Sequence, residues 1–270
     1  MVRFALIVLA GCGRIGFGAS PLISEDAPLD DAPSDVGHDE DGDGVADADD
    51  NCPHIAGAQT DTDGDGVGDL CDPNPTTGGD AIALFATMRP GDQPFTTAGG
   101  DQDAVFTQKD DALRFDGILG SDNNLFGNFL IPVDLDNVRA AIGFDVLAVV
   151  PGAASNQNQI ALAVWDQAPS YFVEVNQIPG LFDHAAVVFF DGTDFSAADA
   201  RDLATGIRTG PLTLQTTQRV GEGVRLDAAW PGEPYVAEVN DAVYQGAARI
   251  ELSVNNVHID ILWLAVITSP

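Results

Sequence analysis

The stretch His258-Ile-Asp-Ile-Leu-Trp-Leu-Ala-Val266, close to the end of the chain, decides the class of fold. It opens with polar and apolar residues in alternation, and His258 and Asp260 fall on one face. A period of two is typical of a β-strand that buries one side. Toward the N-terminus, as far as Asp80, similar short apolar runs recur between Gly, Asp, Asn and Pro residues. Residues 80–270 are therefore predicted to form one all-β domain.

The predicted strands are too many for a single open sheet, which would leave its apolar face bare to water. We therefore expect two sheets packed face to face. The strands are predicted at residues 82–86, 104–107, 112–115, 127–131, 141–149, 159–165, 171–177, 185–190, 204–209, 211–217, 224–229, 247–254 and 258–266.

Four short stretches give this region a resemblance to known domains. They are Leu113-Arg-Phe-Asp116, Phe172-Val-Glu-Val175, Asp191-Gly-Thr-Asp194 and Ile259-Asp-Ile-Leu-Trp-Leu264. The pattern resembles the concanavalin A-like lectin and laminin G-like domains. That resemblance implies a jelly-roll β-sandwich, and an immunoglobulin-like sandwich is the alternative.

The charge of the chain is strongly negative and unevenly placed. The 270 residues carry 42 Asp and Glu against 11 Lys and Arg, a net charge of -31. Residues 25–80 contain eighteen of the acidic side chains and no Lys or Arg. Such a chain repels nucleic acid and anionic head groups, so its expected partners are cations.

Two loops in the acidic segment repeat the same spacing of aspartates. Each places Asp at positions 1, 3, 5, 9 and 12 and Gly at position 6, and the residue at position 7 offers its backbone carbonyl. This is the ligand pattern of a short chain that wraps a calcium ion. The predicted ligands are Asp39, Asp41, Asp43, Val45, Asp47 and Asp50 in loop 1, and Asp61, Asp63, Asp65, Val67, Asp69 and Asp72 in loop 2.

Other metal sites fit this segment less well. Two cysteines and one histidine lack the usual zinc-ligand spacing. An EF-hand needs amphipathic helices on both sides of each loop, whereas the flanks at residues 49–53 and 72–75 are turn formers. Oxygen ligands in such number suit Ca²⁺ better than Mg²⁺.

The segment linking the loops carries a second resemblance. Asp-Asn-Cys-Pro at 50–53, Gln59 and Gly68-Asp-Leu-Cys-Asp72 resemble the thrombospondin type 3 repeat over residues 39–73. The resemblance implies that Cys52 pairs with Cys71 and that the aspartates wrap calcium with almost no hydrophobic core. The chain departs from the family at Gly57-Ala58, where Asn is usual. We assign residues 39–75 to this segment and expect it to fold only when calcium binds.

The N-terminus has the order of an export signal. Arg3 precedes the apolar run Phe4–Ala10, and Leu9-Ala10-Gly11-Cys12 resembles a bacterial lipobox. The resemblance implies a signal peptide at 1–11, acyl chains on Cys12, and a lipid anchor followed by a flexible tether at 12–38. It also implies localisation at the cell envelope, in the outer membrane or at the cell surface. An ordinary secretory signal and a buried N-terminal strand are the alternatives.

The sandwich region contains no recognisable catalytic motif. It lacks the Glu-x-Asp-x-x-Glu pattern of a retaining glucanase, and Glu174 and Glu238 are expected to face solvent.

Trp165 and Trp263 are expected in the core. Trp230 and Tyr235 flank Pro231-Gly232 in a predicted loop and are the candidate ligand contacts, although a loop aromatic can also simply pack on the sandwich edge.

The pattern as a whole favours a non-enzymatic surface protein. The calcium segment is expected to act as a metal-stiffened spacer between the lipid anchor and a sandwich that binds a glycan or a surface protein. A carbohydrate-active enzyme, either a glycoside hydrolase or a lyase with a divergent site, is the alternative. A purely structural envelope protein is the third hypothesis.

Overall fold

The computed structural model describes most of the chain from residue 37 onward. The predicted signal peptide 1–11, the acylation site Cys12 and most of the tether lie outside the described residues. The described ranges are 37–91, 95–100, 106–115, 124–129, 137–149, 157–165, 170–178, 182–240 and 249–270. No helix within these ranges is both long enough and apolar enough to cross a membrane.

The predicted all-β fold is confirmed: two antiparallel sheets account for the described secondary structure apart from one 3-10 turn, Asp47–Asp49. The strands, in chain order, are β1 Ala81–Thr87, β2 Phe95–Gly100, β3 Phe106–Gln108, β4 Leu113–Phe115, β5 Asn124–Phe129, β6 Asn137–Val149, β7 Asn158–Trp165, β8 Ser170–Ile178, β9 Phe182–Phe190, β10 Phe195–Asp202, β11 Gly210–Arg219, β12 Gly223–Trp230, β13 Glu233–Val239, β14 Arg249–Asn255 and β15 Val257–Ser269.

The order of the strands defines an eight-stranded and a seven-stranded sheet. The first runs β13-β12-β11-β6-β15-β4-β3, with β1 paired to β15. The second runs β10-β9-β8-β7-β14-β5-β2. Some neighbours, such as β11-β12-β13 and β7-β8-β9-β10, follow one another in the chain, whereas pairs such as β6-β15 and β7-β14 join strands far apart in the sequence. The sandwich therefore forms only when distant segments meet.

The core lies between the sheets because every second residue of the central strands points inward. Leu212 and Leu214 of β11 are fully buried on the inner face of the eight-stranded sheet. Val173 and Val175 of β8 are fully buried on the inner face of the seven-stranded sheet. This alternation confirms the period of two in the sequence. It also fixes which side chains lie on the outer faces.

Most predicted strands coincide with observed ones, and the exceptions have a physical cause. Residues 204–209, predicted as a strand, form an irregular loop that is held by packing: Ile207, and Leu203 just before the loop, are each 5% exposed. Strand β10 was not predicted because almost all of its residues are exposed, which leaves no apolar alternation in the sequence. Strands β2 and β13 were also not predicted.

The calcium segment packs directly on the sandwich. Cys52, Val67 and Cys71 form a small buried cluster with Ile267 of β15. Arg139 Nη1 of β6 donates a 2.7 Å hydrogen bond to the Cys71 carbonyl oxygen. The segment's own hydrophobic core is as small as expected, and Ile267 of the sandwich completes it.

Candidate functional site

The first calcium loop is shaped by aspartates that accept hydrogen bonds from the backbone of the same loop. Asp39 Oδ1 accepts from the Gly42 amide at 2.8 Å, and its Oδ2 accepts from the Gly44 amide at 2.9 Å. Asp43 Oδ1 accepts from the Val45 amide at 2.9 Å. Gly44 has φ 95°, a conformation that favours glycine. The loop therefore curls around its own carboxylates.

The second loop repeats this geometry residue by residue. Asp61 accepts from the Gly64 amide at 2.7 Å and from the Gly66 amide at 3.0 Å, and Asp65 Oδ1 accepts from the Val67 amide at 3.0 Å. Gly66 has φ 99°, close to the value at Gly44. The repeated spacing in the sequence therefore gives a repeated backbone fold.

Each loop gathers three carboxylates within reach of one cation. One oxygen from each of Asp39, Asp41 and Asp43 lies within 4.8 Å of the others, and the same holds for the loop 2 triad, Asp61, Asp63 and Asp65. Oδ2 of Asp41 and Oδ2 of Asp63 are buried and have no hydrogen-bond partner among the described residues. Buried polar atoms normally have partners, and calcium prefers several oxygen ligands at 2.3–2.6 Å. Both triads fit that ion.

The electrostatics of the triads also fits a bound cation. Desolvation, together with the neighbouring carboxylates, raises the pKa of Asp41 and the pKa of Asp63. Hydrogen bonds from backbone amides lower the pKa of Asp43 and the pKa of Asp65. Each loop thus holds one carboxylate whose ionisation is favoured beside one whose ionisation is opposed. A bound divalent cation would favour the ionised form of both.

The residues at position 9 are placed differently from the triads. Asp47 accepts from the Glu40 amide at 2.8 Å and pairs with His38 at 2.7 Å. Asp69 accepts from the Thr62 amide at 2.8 Å and from its hydroxyl at 2.7 Å. Both close their loops through these bonds. Their role as calcium ligands, together with that of Asp50 and of the Val45 and Val67 carbonyls, stays a prediction.

A disulfide joins the two loops, as the resemblance implied. Cys52 and Cys71 are bonded, with Cα atoms 5.7 Å apart, and both are buried. The bond ties the end of loop 1 to the end of loop 2 and places both beside the sandwich.

The candidate ligand contacts Trp230 and Tyr235 do not form an open site. Trp230 ends β12, is 2% exposed, and belongs to the core. Its Nε1 donates to the Arg208 carbonyl oxygen at 3.4 Å, and the Arg208 guanidinium lies over the ring. Tyr235 lies in β13 and packs edge-on against Trp230. The prediction of a ligand-binding loop is wrong for Trp230, because Pro231-Gly232 form only a tight turn between two paired strands.

A polar cluster that the sequence did not reveal lies on the outer face of the seven-stranded sheet. Glu174 points away from the core yet is 4% exposed, so the expectation that it faces solvent is wrong. Its Oε1 accepts from Asn176 Nδ2 at 3.0 Å and bonds His184 Nε2 at 2.9 Å, and Gln159 donates to Oε2. Asn176 Oδ1 is a buried acceptor for which the described ranges of the chain supply no donor.

Aromatic side chains surround this polar cluster on the same face. Phe182 stacks on His184 with ring centroids 4.5 Å apart. Phe190 and Phe195 stack at 4.5 Å, and Phe172 meets Phe195 edge-on at 5.7 Å. Phe195 is 37% exposed. The available sequence signal was the placement of Phe182, His184 and Phe190 at even spacings in β9, which puts them on one face.

Comparison with solved structures defines the class of fold. The structure is similar to the CBM2 module of the evolved Dit of Lactobacillus casei BL23 phage J-1, with TM-score 0.54, 9% identity, and coverage of 70% of this chain and 96% of that one. It is similar to lectin II from Ulex europaeus, with TM-score 0.51, 12% identity and coverage of 70% and 99%. The lectin from Bauhinia forficata, in complex with GalNAc, gives TM-score 0.51, 11% identity and coverage of 69% and 98%. The predicted lectin-like sandwich is confirmed at the level of the fold.

Comparison of the sequence places the acidic segment in a family. The model of the thrombospondin type 3 repeat matches residues 37–59 and 60–75. No curated protein matches the chain as a whole. The assignment made from the Asp loops and the two cysteines is thereby confirmed for this segment.

Proposed function

We propose that the protein is a calcium-binding, lipid-anchored surface protein whose sandwich binds a glycan. The observation that carries the calcium part is the pair of Asp triads, each of which contains a buried carboxylate oxygen that no described residue hydrogen-bonds. The match to the thrombospondin type 3 repeat supports it independently. Calcium holds the loops in shape, and the loops in turn hold the sandwich in a fixed relation to the anchor.

Calcium binding can be tested separately for each loop by calorimetric titration. Asp41→Asn with Asp43→Asn weakens loop 1, and Asp63→Asn with Asp65→Asn weakens loop 2, because each pair removes two anionic ligands without changing side-chain size. Asp191→Asn with Asp194→Asn, in an exposed turn of the sandwich, is the matched control. We expect each loop double variant to lose calcium binding and the control double variant to retain it. Equal binding by all four proteins would exclude the loops as the site.

For the glycan we propose the outer face of the seven-stranded sheet. Sugars combine hydroxyl groups, which amides and carboxylates bind, with apolar ring faces, which stack on aromatic side chains. Here the Glu174 cluster lies beside the Phe195 cluster, and the fold is shared with lectins. We propose binding rather than hydrolysis, because the described partners of Glu174 are amides and an imidazole and not a second carboxylate.

A glycan array probed with the purified protein in calcium tests this face. Phe195→Ala removes the exposed ring of the stack, and Tyr235→Phe removes only a hydroxyl at the site rejected above. We expect Phe195→Ala to weaken binding about tenfold, equivalent to about 1.4 kcal/mol, with no effect of Tyr235→Phe. Loss with Tyr235→Phe alone would move the site to β13, and the absence of any bound glycan would contradict the glycan proposal.

The anchor is proposed from the sequence around Cys12. Acyl chains on that residue would hold the protein at a membrane, since two or more chains give stable attachment. Labelling with a radioactive fatty acid in a bacterial host tests this, with Cys12→Ala as the variant. Label on the parent and none on the variant supports the anchor, and an unlabelled parent contradicts it.

A further inference from the structure

A third carboxylate cluster lies where the calcium segment meets the sandwich. It consists of Asp65, Asp72 and Asp80, with one oxygen of each within 4.8 Å of the others. Asp65 and Asp72 hold positions 5 and 12 of loop 2. Asp80 directly precedes strand β1 and lies beyond residues 37–75, which match the repeat family. The cluster therefore combines two residues of the repeat segment with one residue at the start of the sandwich.

Two members of the cluster are buried and lack a partner on one oxygen. Asp72 is 4% exposed and Asp80 is 3% exposed. Within the part of the chain that the structure describes, Oδ2 of Asp72 and Oδ2 of Asp80 each have no hydrogen-bond partner. Arg139, whose charge acts on Asp72, donates its Nη1 hydrogen bond to the Cys71 carbonyl oxygen. Buried, unpaired carboxylate oxygens are costly, and a metal ion removes that cost.

Loop 1 offers an internal comparison, because its equivalent positions are satisfied in another way. There Gln59 Nε2 donates to Asp43 Oδ2 at 3.3 Å and to Asp50 Oδ1 at 2.9 Å. In loop 2, Asp65 Oδ2 accepts from the amides of Gly79 and Asp80 at 2.9 and 2.7 Å, and these bonds bring the Asp80 side chain close. Loop 1 thus places an amide donor where loop 2 places another carboxylate. The Gln59 amide gives the carboxylates of loop 1 a hydrogen-bond donor, whereas the equivalent carboxylates of loop 2 face a further carboxylate and are left for a cation.

We infer that Asp65, Asp72 and Asp80 hold a further calcium ion that fastens the repeat segment to the sandwich. Carboxylate oxygens from three residues, two of them withdrawn from water, suit a hard divalent cation. The inference rests on the proposed calcium binding, because Asp65 and Asp72 also belong to loop 2. Asp80 belongs to this cluster and to neither loop triad, and it provides the separate test.

The test is a count of bound calcium ions by equilibrium dialysis with elemental analysis. Asp80→Asn is compared with Asp194→Asn, which makes the same change of charge at an exposed position of the other sheet. We expect three ions in the parent and in Asp194→Asn, and two in Asp80→Asn. Two ions in all three proteins would refute the further site and leave the loop sites standing. No bound calcium in the parent would refute both.

Thermal unfolding separates a metal ligand from a residue that merely supports the fold. Without calcium, Asp80→Asn removes one of two buried carboxylates that lie close together, so the melting temperature should rise or stay the same. With saturating calcium, the same variant should melt several degrees below the parent. A variant that melts lower than the parent by the same amount in both conditions would show that Asp80 is structural, and the inference would be wrong.

Discussion

His54 of the calcium segment lies against Trp263 of the final strand, with ring centroids 5.0 Å apart. Trp263 is on the outer face of the eight-stranded sheet but is only 9% exposed, and it clusters there with Ala141 and Ala265. The ring lies so close to Gly143 that a Cβ atom there would come 2.3 Å from Trp263 Nε1. A glycine below and a histidine above thus hold the indole between the sandwich and the segment.

Replacing this indole should loosen the segment and destabilise the protein. Trp263→Ala removes a large buried side chain, and we expect a loss of about 3 kcal/mol of unfolding free energy, measured by chemical denaturation in calcium. Phe195→Ala, at a ring that is 37% exposed, is the control and should cost less than about 1 kcal/mol. Equal losses in the two variants would contradict the docking role of Trp263.

The same contact makes stability depend on pH. Burial, with a smaller effect of the Arg139 charge, lowers the pKa of His54 from 6.5 to about 4. Between those values the unfolded chain binds a proton that the folded protein does not. Stability from this group is therefore complete above pH 6.5 and is lost as the pH falls, by about 1 kcal/mol at pH 5.5.

Comparing His54→Phe with the parent isolates the effect of His54 protonation on the unfolding free energy. The variant keeps an aromatic ring beside Trp263 but cannot titrate, so its unfolding free energy should change less than the parent's between pH 7.5 and 5.5. Saturating calcium is kept in both series. An identical pH dependence would show that folding does not lower the pKa of His54, and the prediction would be wrong.

Loss of the disulfide should weaken the segment more than the sandwich. Cys52 and Cys71 are 19 positions apart, and closing such a loop contributes about 3 kcal/mol in the chain-entropy model. We expect the double variant Cys52→Ser, Cys71→Ser to bind calcium more weakly and to be cleaved faster by protease between residues 39 and 80. The sandwich should keep its circular dichroism spectrum. Unchanged calcium affinity would argue against a structural role for the bond.

The buried carboxylate of Glu174 should matter for stability as well as for binding. Glu174→Ala leaves Asn176 and His184 without their acceptor, and we expect a cost of about 2–3 kcal/mol. Asp194→Ala, at an exposed turn, should be close to neutral. If both variants unfold alike, the cluster is not the tight network that its geometry indicates.

The sequence predicted the grouping of the aspartates in each loop because the structure of the loops is local. Asp39, Asp41 and Asp43 come together through turns that Gly44 allows, so spacing alone specifies the triad. The disulfide followed from the family resemblance. Asp80 was missed because its partners, Asp65 and Asp72, reach it only after the segment docks on the sandwich.

The outer faces of the sheets were predicted less well, since strand order decides them. Glu174 meets His184 because β8 pairs with β9. The same pairing shields the Glu174 side chain from solvent and supplies its hydrogen-bond partners. Trp230 was assigned to a loop from the Pro-Gly that follows, yet those two residues form a hairpin turn in which Trp230 pairs with Glu233. Local turn signals cannot distinguish a tight hairpin from an open loop.

We propose that calcium orders the Asp loops, and hydrogen exchange of the intact chain, with and without calcium, measures that ordering. Peptides covering residues 39–72 should exchange quickly in chelator and become strongly protected in calcium, whereas the strands at the centre of the sandwich should be protected in both. That difference is the result we predict. Equal exchange across residues 39–72 in the two conditions would contradict a calcium-dependent segment.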